Sequence, residues 1–278
     1  MKTILVAIDF SKNAEHALGY AVMFAKKLKA CINLIWVDNT ISDESVIDII
    51  EGETRIEKKT YMEGLKKRFQ PEVTCGEIQI LLRKGRVYQE IAKAATQVDA
   101  DMIFAGTHGV SGYEQYWIGS NAYRIVTQAP CPVVTVRRDY EYKNSIDKIL
   151  LPIDSSMETK QKLPFVAELA NTFGATIHLL KIYNTPISVI RKRIDKYGED
   201  AEKCLVENKV KFITAQKEAD NVAVSIINYS KENNIDLISI MTDQDMTTAN
   251  KFLGPYAQQL INNSEIPVLS LRAKEIIE

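Results

Sequence analysis

The chain has 278 residues, 46% of them hydrophobic, which is enough for about two compact domains with cores of their own. Its 35 Lys and Arg nearly balance 36 Asp and Glu for a net charge of -1, so composition gives no basis for a nucleic-acid or membrane-surface partner. No apolar stretch reaches 18 residues, and the opening run is stopped by Asp9, too early for the apolar core of a secretion signal; the expectation is a cytoplasmic protein.

Lys2–Ile8 is continuously apolar and β-branched, as a central parallel strand requires, and Asp9 and Ser11 hand it to a capped helix. Ala14, Leu18, Ala21, Val22, Ala25 and Leu28 then recur at helical spacing, with Lys26, Lys27 and Lys29 closing the last turn. Ile32–Val37 reads as the second strand. Residues 40–70 carry a helical stripe of Ile56, Met62, Leu65 and Phe69 that Pro71 stops. Ile78–Leu82 is a third strand, Gly85 precedes a helix with Val87, Ile91, Ala94 and Ala95, and Met102–Ala105 is a fourth strand. Pro130 and Pro132 bracket the approach to a fifth, Val133–Val136. The four cysteines, Cys31, Cys75, Cys131 and Cys204, show no C-x-x-C spacing and are expected to be reduced residues packed as small hydrophobes.

Residues 138–146 are charged and lack a hydrophobic period, as in a linker, and beyond them the pattern restarts. Lys148–Asp154 repeats Thr3–Asp9 at an offset of 145, and Gly174–Leu180 repeats Lys29–Ile35. Farther on the offset is 135: Asp236–Ile238 matches Asp101–Ile103, Gly254 matches Gly119, and Ile266–Arg272 matches Cys131–Arg137. Ordered agreement of this kind marks a duplicated α/β domain, expected at 1–138 and 146–278. Each half should be a doubly wound, five-stranded parallel sheet with helices on both faces, binding ligands beyond the carboxyl ends of its first and fourth strands.

In the first half that place holds Asp9 and the loop Ala105–Asn121, with spacing Gly106-x2-Gly109-x9-Gly119-Ser120. A strand feeding a glycine loop that ends at a helix start suits a phosphate: glycines admit the anion, and the N–H groups of the first helical turn point at it. The spacing is neither a Walker loop nor G-x-G-x-x-G. In the second half Gly106 becomes Met241, His108 becomes Asp243, Gly109 becomes Gln244 and Ser120 becomes Pro255. Added Cβ atoms, two acidic residues at Asp243 and Asp245, and a proline without an N–H all work against an anion.

Asp9, Val37 and G-x2-G-x9-G-S ahead of P-x-P-V-V (PCPVV, 130–134) resemble the universal stress protein family in its ATP-binding branch, here as a tandem spanning nearly the whole chain. The resemblance implies ATP as cofactor, with magnesium as its companion ion. Asp9 would lie near the ribose and Val37 at the adenine edge. Gly106, His108 and Gly109 would wrap the phosphates, and Gly119, Ser120 and Asn121 would hold them at the helix start. His108 is read as a backbone contact instead of a base; His16 and His178 lack metal-ligand spacing. The family habit of dimerising along the fifth strand implies that Val133–Val136 pairs with Val268–Leu271 inside this one chain, with a further homodimer left open. The function expected is nucleotide-dependent regulation of an unknown protein partner under stress, with slow or no hydrolysis. The alternatives are an enzyme of the adenine-nucleotide hydrolase type, disfavoured because Asp9-Phe10-Ser11-Lys12-Asn13 is not an S-G-G-x-D-S loop, and a ligand-free structural protein.

Overall fold

A computed structural model describes residues 1–39, 47–107, 119–242 and 253–273. The first half runs β1 (Thr3–Ala7), α1 (Lys12–Leu28), β2 (Cys31–Asp38), α2 (Ile47–Phe69), β3 (Gln79–Lys84), α3 (Val87–Gln97), β4 (Met102–Gly106), α4 (Ser120–Gln128) and β5 (Val133–Val136). The second repeats it as β6 (Lys148–Ile153), α5 (Leu163–Phe173), β7 (Thr176–Tyr183), α6 (Ser188–Glu207), β8 (Phe212–Glu218), α7 (Val222–Glu232), β9 (Leu237–Thr242), α8 (Pro255–Asn263) and β10 (Val268–Arg272).

Within each half the strands are parallel in the order 3-2-1-4-5, so the chain reverses its winding between β1 and β4, and between β6 and β9. The halves join into one ten-stranded sheet, β3-β2-β1-β4-β5-β10-β9-β6-β7-β8. The join is the pairing of fifth strands that the family resemblance implied, and it is antiparallel: Val133 faces Ser270, Val134 faces Leu269 and Thr135 faces Val268. Val134 and Leu269 are counterparts at the offset of 135, so the pair is self-complementary, as in a two-fold dimer interface. Two strands that would otherwise be open edges cover each other. Phe24 of α1 packs on Phe173 of α5 across the join, ring centroids 5.0 Å apart.

Several repeated residues are explained by backbone needs. The Asp101 carboxylate accepts from Thr3 N at 2.9 Å, and that of Asp236 accepts from Asp147 N and Lys148 N, both at 2.9 Å. Each aspartate thereby satisfies N–H groups at the start of its half's first strand. The stretch expected to be a linker is packed down. Tyr140 O accepts from His16 Nε2 of α1 at 2.7 Å, Tyr140 Oη donates to Asp236 O at 3.2 Å, and the Tyr142 ring lies 5.0 Å from that of His16.

Two expectations are corrected. Ile56 does not join the buried stripe of α2: it is 66% exposed, on a different face of the helix from Met62 and Leu65, which are buried. The four cysteines are not all reduced. Cys31, at the start of β2, is bonded to Cys75 in the turn before β3, with Cα atoms 5.0 Å apart. β2–β3 pairing places Asn33 beside Gln79, which brings the two chain segments together from 44 residues apart, a proximity no local spacing encodes. Cys131 and Cys204 are free thiols, and burial pushes the Cys131 thiol up to about 12, leaving it a poor nucleophile.

His178 of β7 is 4% exposed, with Nδ1 3.1 Å from Tyr229 Oη and no partner for Nε2. Burial, then the nearby Lys148 ammonium, lowers its pKa below the ordinary 6.5. The unfolded chain therefore takes up this proton first as pH falls, and stability is lost from about pH 6.5 downward until the folded-state value is reached. Urea unfolding at pH 7.5 and 5.5 should show a loss in the wild type that is smaller in His178→Gln. The slope from this one group is at most about 1.4 kcal/mol per pH unit. Equal losses in both proteins would contradict the assignment.

Candidate nucleotide site

The carboxyl ends of β1, β2 and β4 and the start of α4 surround a cavity of about 390 Å³. That lies within the roughly 300–1,000 Å³ typical of small-molecule sites. Six of the eight residues singled out from sequence, Asp9, Val37, Gly106, Gly119, Ser120 and Asn121, line it together. The other two, His108 and Gly109, lie outside the described residues.

Each wall follows from local structure. Asp9 stands two residues beyond the end of β1, and its Oδ1 accepts from Ser11 N (3.0 Å) and Ser11 Oγ (2.6 Å); Ser11 Oγ in turn accepts from Ala14 N at 3.1 Å and caps α1. Asp154 and Ser156 repeat the first of these links at 2.9 and 2.6 Å, so the aspartate builds the turn in either half whatever the cavity holds. Between Asp9 and Ser11 the chain passes through Phe10 at φ 64, a left-handed conformation uncommon for a bulky residue. Its ring is set 5.6 Å from Trp36 and 5.1 Å from Tyr61, with Lys58 Nζ 4.4 Å from its centroid. Burial, followed by the hydrogen bond to Glu15, raises Tyr61 to about 12.

Gly106 is needed for contact with helix α1. A Cβ on it would stand 3.0 Å from the backbone carbon and Cβ of Asn13 and 3.1 Å from its oxygen. Beyond it, Thr107 O accepts from Gly119 N at 2.8 Å, which ties the exit of β4 to the start of α4. Gly119 is the N-cap of α4 and provides no side-chain cap, so the N–H groups of Ser120 and Asn121 open the helix at the cavity wall. Sequence reasoning missed Asn39, Thr107 and the apolar lining of Ile35, Val87, Ile91, Ala122 and Ile125. Their helical and strand periodicities were legible as core, and only the tertiary arrangement turns part of that core toward a void.

The second half has the same frame without the room. Pro152, Asp154, Ile182, Val222, Ile226, Ile240, Met241, Tyr256, Ala257 and Leu260 stand at the repeat positions of the first cavity's lining and enclose about 30 Å³, space for about one water. Register confirms the equivalence: Gly106 pairs with Val136, and Met241 with Leu271. Lys162, 3% exposed, also lines this remnant and donates to Thr159 Oγ1 at 3.3 Å. The first turn of the helix is altered as well. α1 begins at Lys12, but its counterpart Met157 opens a 3-10 turn, Met157–Lys160, and α5 starts only at Leu163. Of the phosphate-opposing changes, Asp243, Gln244 and Asp245 lie outside the described residues, while Pro255 opens α8.

The sequence model of the universal stress protein family matches residues 1–137 and again 145–272. The chain belongs to the universal stress protein family. A protein of Staphylococcus saprophyticus bearing that family name is 31% identical over 142 residues, 50% of this chain and 84% of the relative. A Staphylococcus aureus counterpart is 30% identical over the same length, covering 85% of that relative. The crystal structure of a universal stress protein from Archaeoglobus fulgidus superposes with a TM-score of 0.77 at 17% identity over 97% of this chain and 98% of its own. One from Pseudomonas aeruginosa gives 0.63 at 15% identity, covering 98% and 94%. At such identities the structures speak for the fold, and the tandem form extends over their whole length. Among the described residues, no helix of this family member is long and apolar enough to cross a membrane.

Proposed function

We propose that this universal stress protein binds one adenine nucleotide, ATP, in its first half and serves as a nucleotide-dependent regulatory module toward a protein partner, with the second half as scaffold. On this reading the domains are residues 1–138 and 146–278. The observation that carries it is the contrast of about 390 and 30 Å³ at equivalent places of one duplicated frame. The phosphates would meet Gly106 and the N-terminus of α4 at Gly119, Ser120 and Asn121, where backbone N–H groups and the helix dipole favour an anion. His108 and Gly109 would complete that loop. The sugar would lie at Asp9 and the base against Val37, Val87 and Ile91, an apolar wall at the β2 side of the cavity. Magnesium would arrive on the phosphates, with oxygens of Asp9 and Ser120 near them.

Regulation is favoured over turnover because Asp9 is the one acidic or basic side chain among the described lining residues, and its Oδ1 already serves Ser11. Efficient hydrolysis calls for a group that activates water and cations that stabilise the transition state. Calorimetric titration of the full chain with ATP should give a stoichiometry near one. ATP at ~100 times its dissociation constant should add roughly 2.7 kcal/mol to the stability of the first half. A stoichiometry near two would overturn the assignment to one half, and a thermal midpoint unmoved by ATP or AMP would overturn nucleotide binding itself.

A further inference from the structure

We propose that Asn39, just beyond the end of β2, is a specificity-determining residue that donates a hydrogen bond to the base of the nucleotide; this rests on the nucleotide reading above. The argument comes from the half whose cavity is closed. There Asn184 Nδ2 donates to Tyr256 Oη at 3.0 Å. Asn184 is the repeat counterpart of Asn39 at the offset of 145, and Tyr256 that of Asn121 at 135. Asn39 and Asn121 both line the open cavity, so the two positions that meet through a phenol in the second half face the same void in the first.

The phenol of Tyr256 thus acts as an internal stand-in for a ligand. It springs from the first turn of α8, lines the remnant cavity together with Ile182, Ile226 and Met241, and presents an oxygen acceptor to the amide just beyond β7. In the first half Asn121 is too short to make that reach, and a planar ligand entering from α4 toward β2 would supply the acceptor instead. Strand order fixes which part of a nucleotide this is. β1, with Asp9 just beyond its carboxyl end, lies between β4 and β2, so a ligand with its phosphates at Gly106 and α4 crosses Asp9 before it reaches Asn39. The far end of a nucleotide is its base, and Val37, Val87 and Ile91 give that end an apolar slot with the Asn39 amide at its rim. An apolar slot accepts any base, whereas a placed amide discriminates by the edge it meets.

The test is calorimetric titration of the full chain with ATP, GTP and inorganic tripolyphosphate. Asn39 is exposed, so Asn39→Ala should keep the wild-type midpoint without ligand. It should weaken ATP about 5- to 10-fold, the worth of one neutral hydrogen bond, and leave tripolyphosphate unchanged. Asn39→Asp replaces the donor with an acceptor and should move the ATP to GTP preference toward GTP, whose base edge offers ring and amino N–H donors. Asn121→Tyr should rebuild the closed arrangement and remove ATP binding. Unaltered ATP affinity in Asn39→Ala overturns the proposal while leaving nucleotide binding intact, as does an equal loss for ATP and tripolyphosphate. A wild type that binds neither nucleotide overturns the parent reading, and this one with it.

Discussion

Breaking the Cys31–Cys75 bond should lower the unfolding midpoint of the whole chain by roughly 8 °C. The bond closes a loop of 44 residues that contains most of β2 and all of α2. In the chain-entropy account, a crosslink of that length removes about 4 kcal/mol of freedom from the unfolded state. For a domain-sized chain each kcal/mol moves the midpoint by about 2 °C or more. Cys31→Ser, Cys75→Ser and dithiothreitol should act alike and not add, since each opens the same loop. Cys204→Ser, at a free and partly exposed thiol, should shift it little. Thiol titration of the unfolded, non-reduced chain should find two free groups; four, together with a midpoint insensitive to reductant, would remove the crosslink from the account.

That bond also shows where sequence reasoning stopped. β1, β2, β4 and β5 were visible as apolar runs, because a parallel strand buried on both faces cannot alternate, while the half-buried edge strand β3 showed only as Ile78–Leu82. The duplication was visible because repeated residues answer repeated needs, of the core for the apolar strands and of the backbone for Asp101 and Asp236. The pairing of β5 with β10 was implied by the family resemblance, and it suits two short apolar segments that would otherwise be bare edges. Residues that meet only through the third dimension were not visible: Cys31 with Cys75, the linker tyrosines with α1, and Asn39 across the void from Asn121. The side of the candidate site at Gly106 and the start of α4 was legible because glycine spacing and a helix start are local signals. Of the apolar side only Val37 was named, through the family resemblance, since Val87 and Ile91 differ in no way from core residues until the fold leaves a space before them.

Gly106→Ala should cost about 1–3 kcal/mol and abolish the ATP-dependent rise in midpoint. The reason lies in what a Cβ would strike. Asn13 presents its backbone carbon and oxygen at 3.0 and 3.1 Å, and backbone atoms in a helix cannot swing aside as a long side chain does. The first turn of α1 must move, carrying Ala14 and straining the Asp9–Ser11 turn that leads into it, and both Asp9 and Ala14 line the cavity. The second half displays the same conflict resolved the other way. Met241 stands in for Gly106, the first α-turn is replaced by Met157–Lys160, the helix resumes at Leu163, and the cavity is about 30 Å³. The reciprocal change, Met241→Gly, removes a buried side chain and should destabilise by about 2–5 kcal/mol without creating a second ATP site, because Pro255 has no N–H to offer at the start of α8. Scanning calorimetry with and without ATP checks both variants. If Gly106→Ala kept the wild-type midpoint and the wild-type response to ATP, close approach of α1 to β4 would not be what keeps the first cavity open. A normal midpoint with no response to ATP would instead move the effect from the helix to the phosphate contact at residue 106 itself.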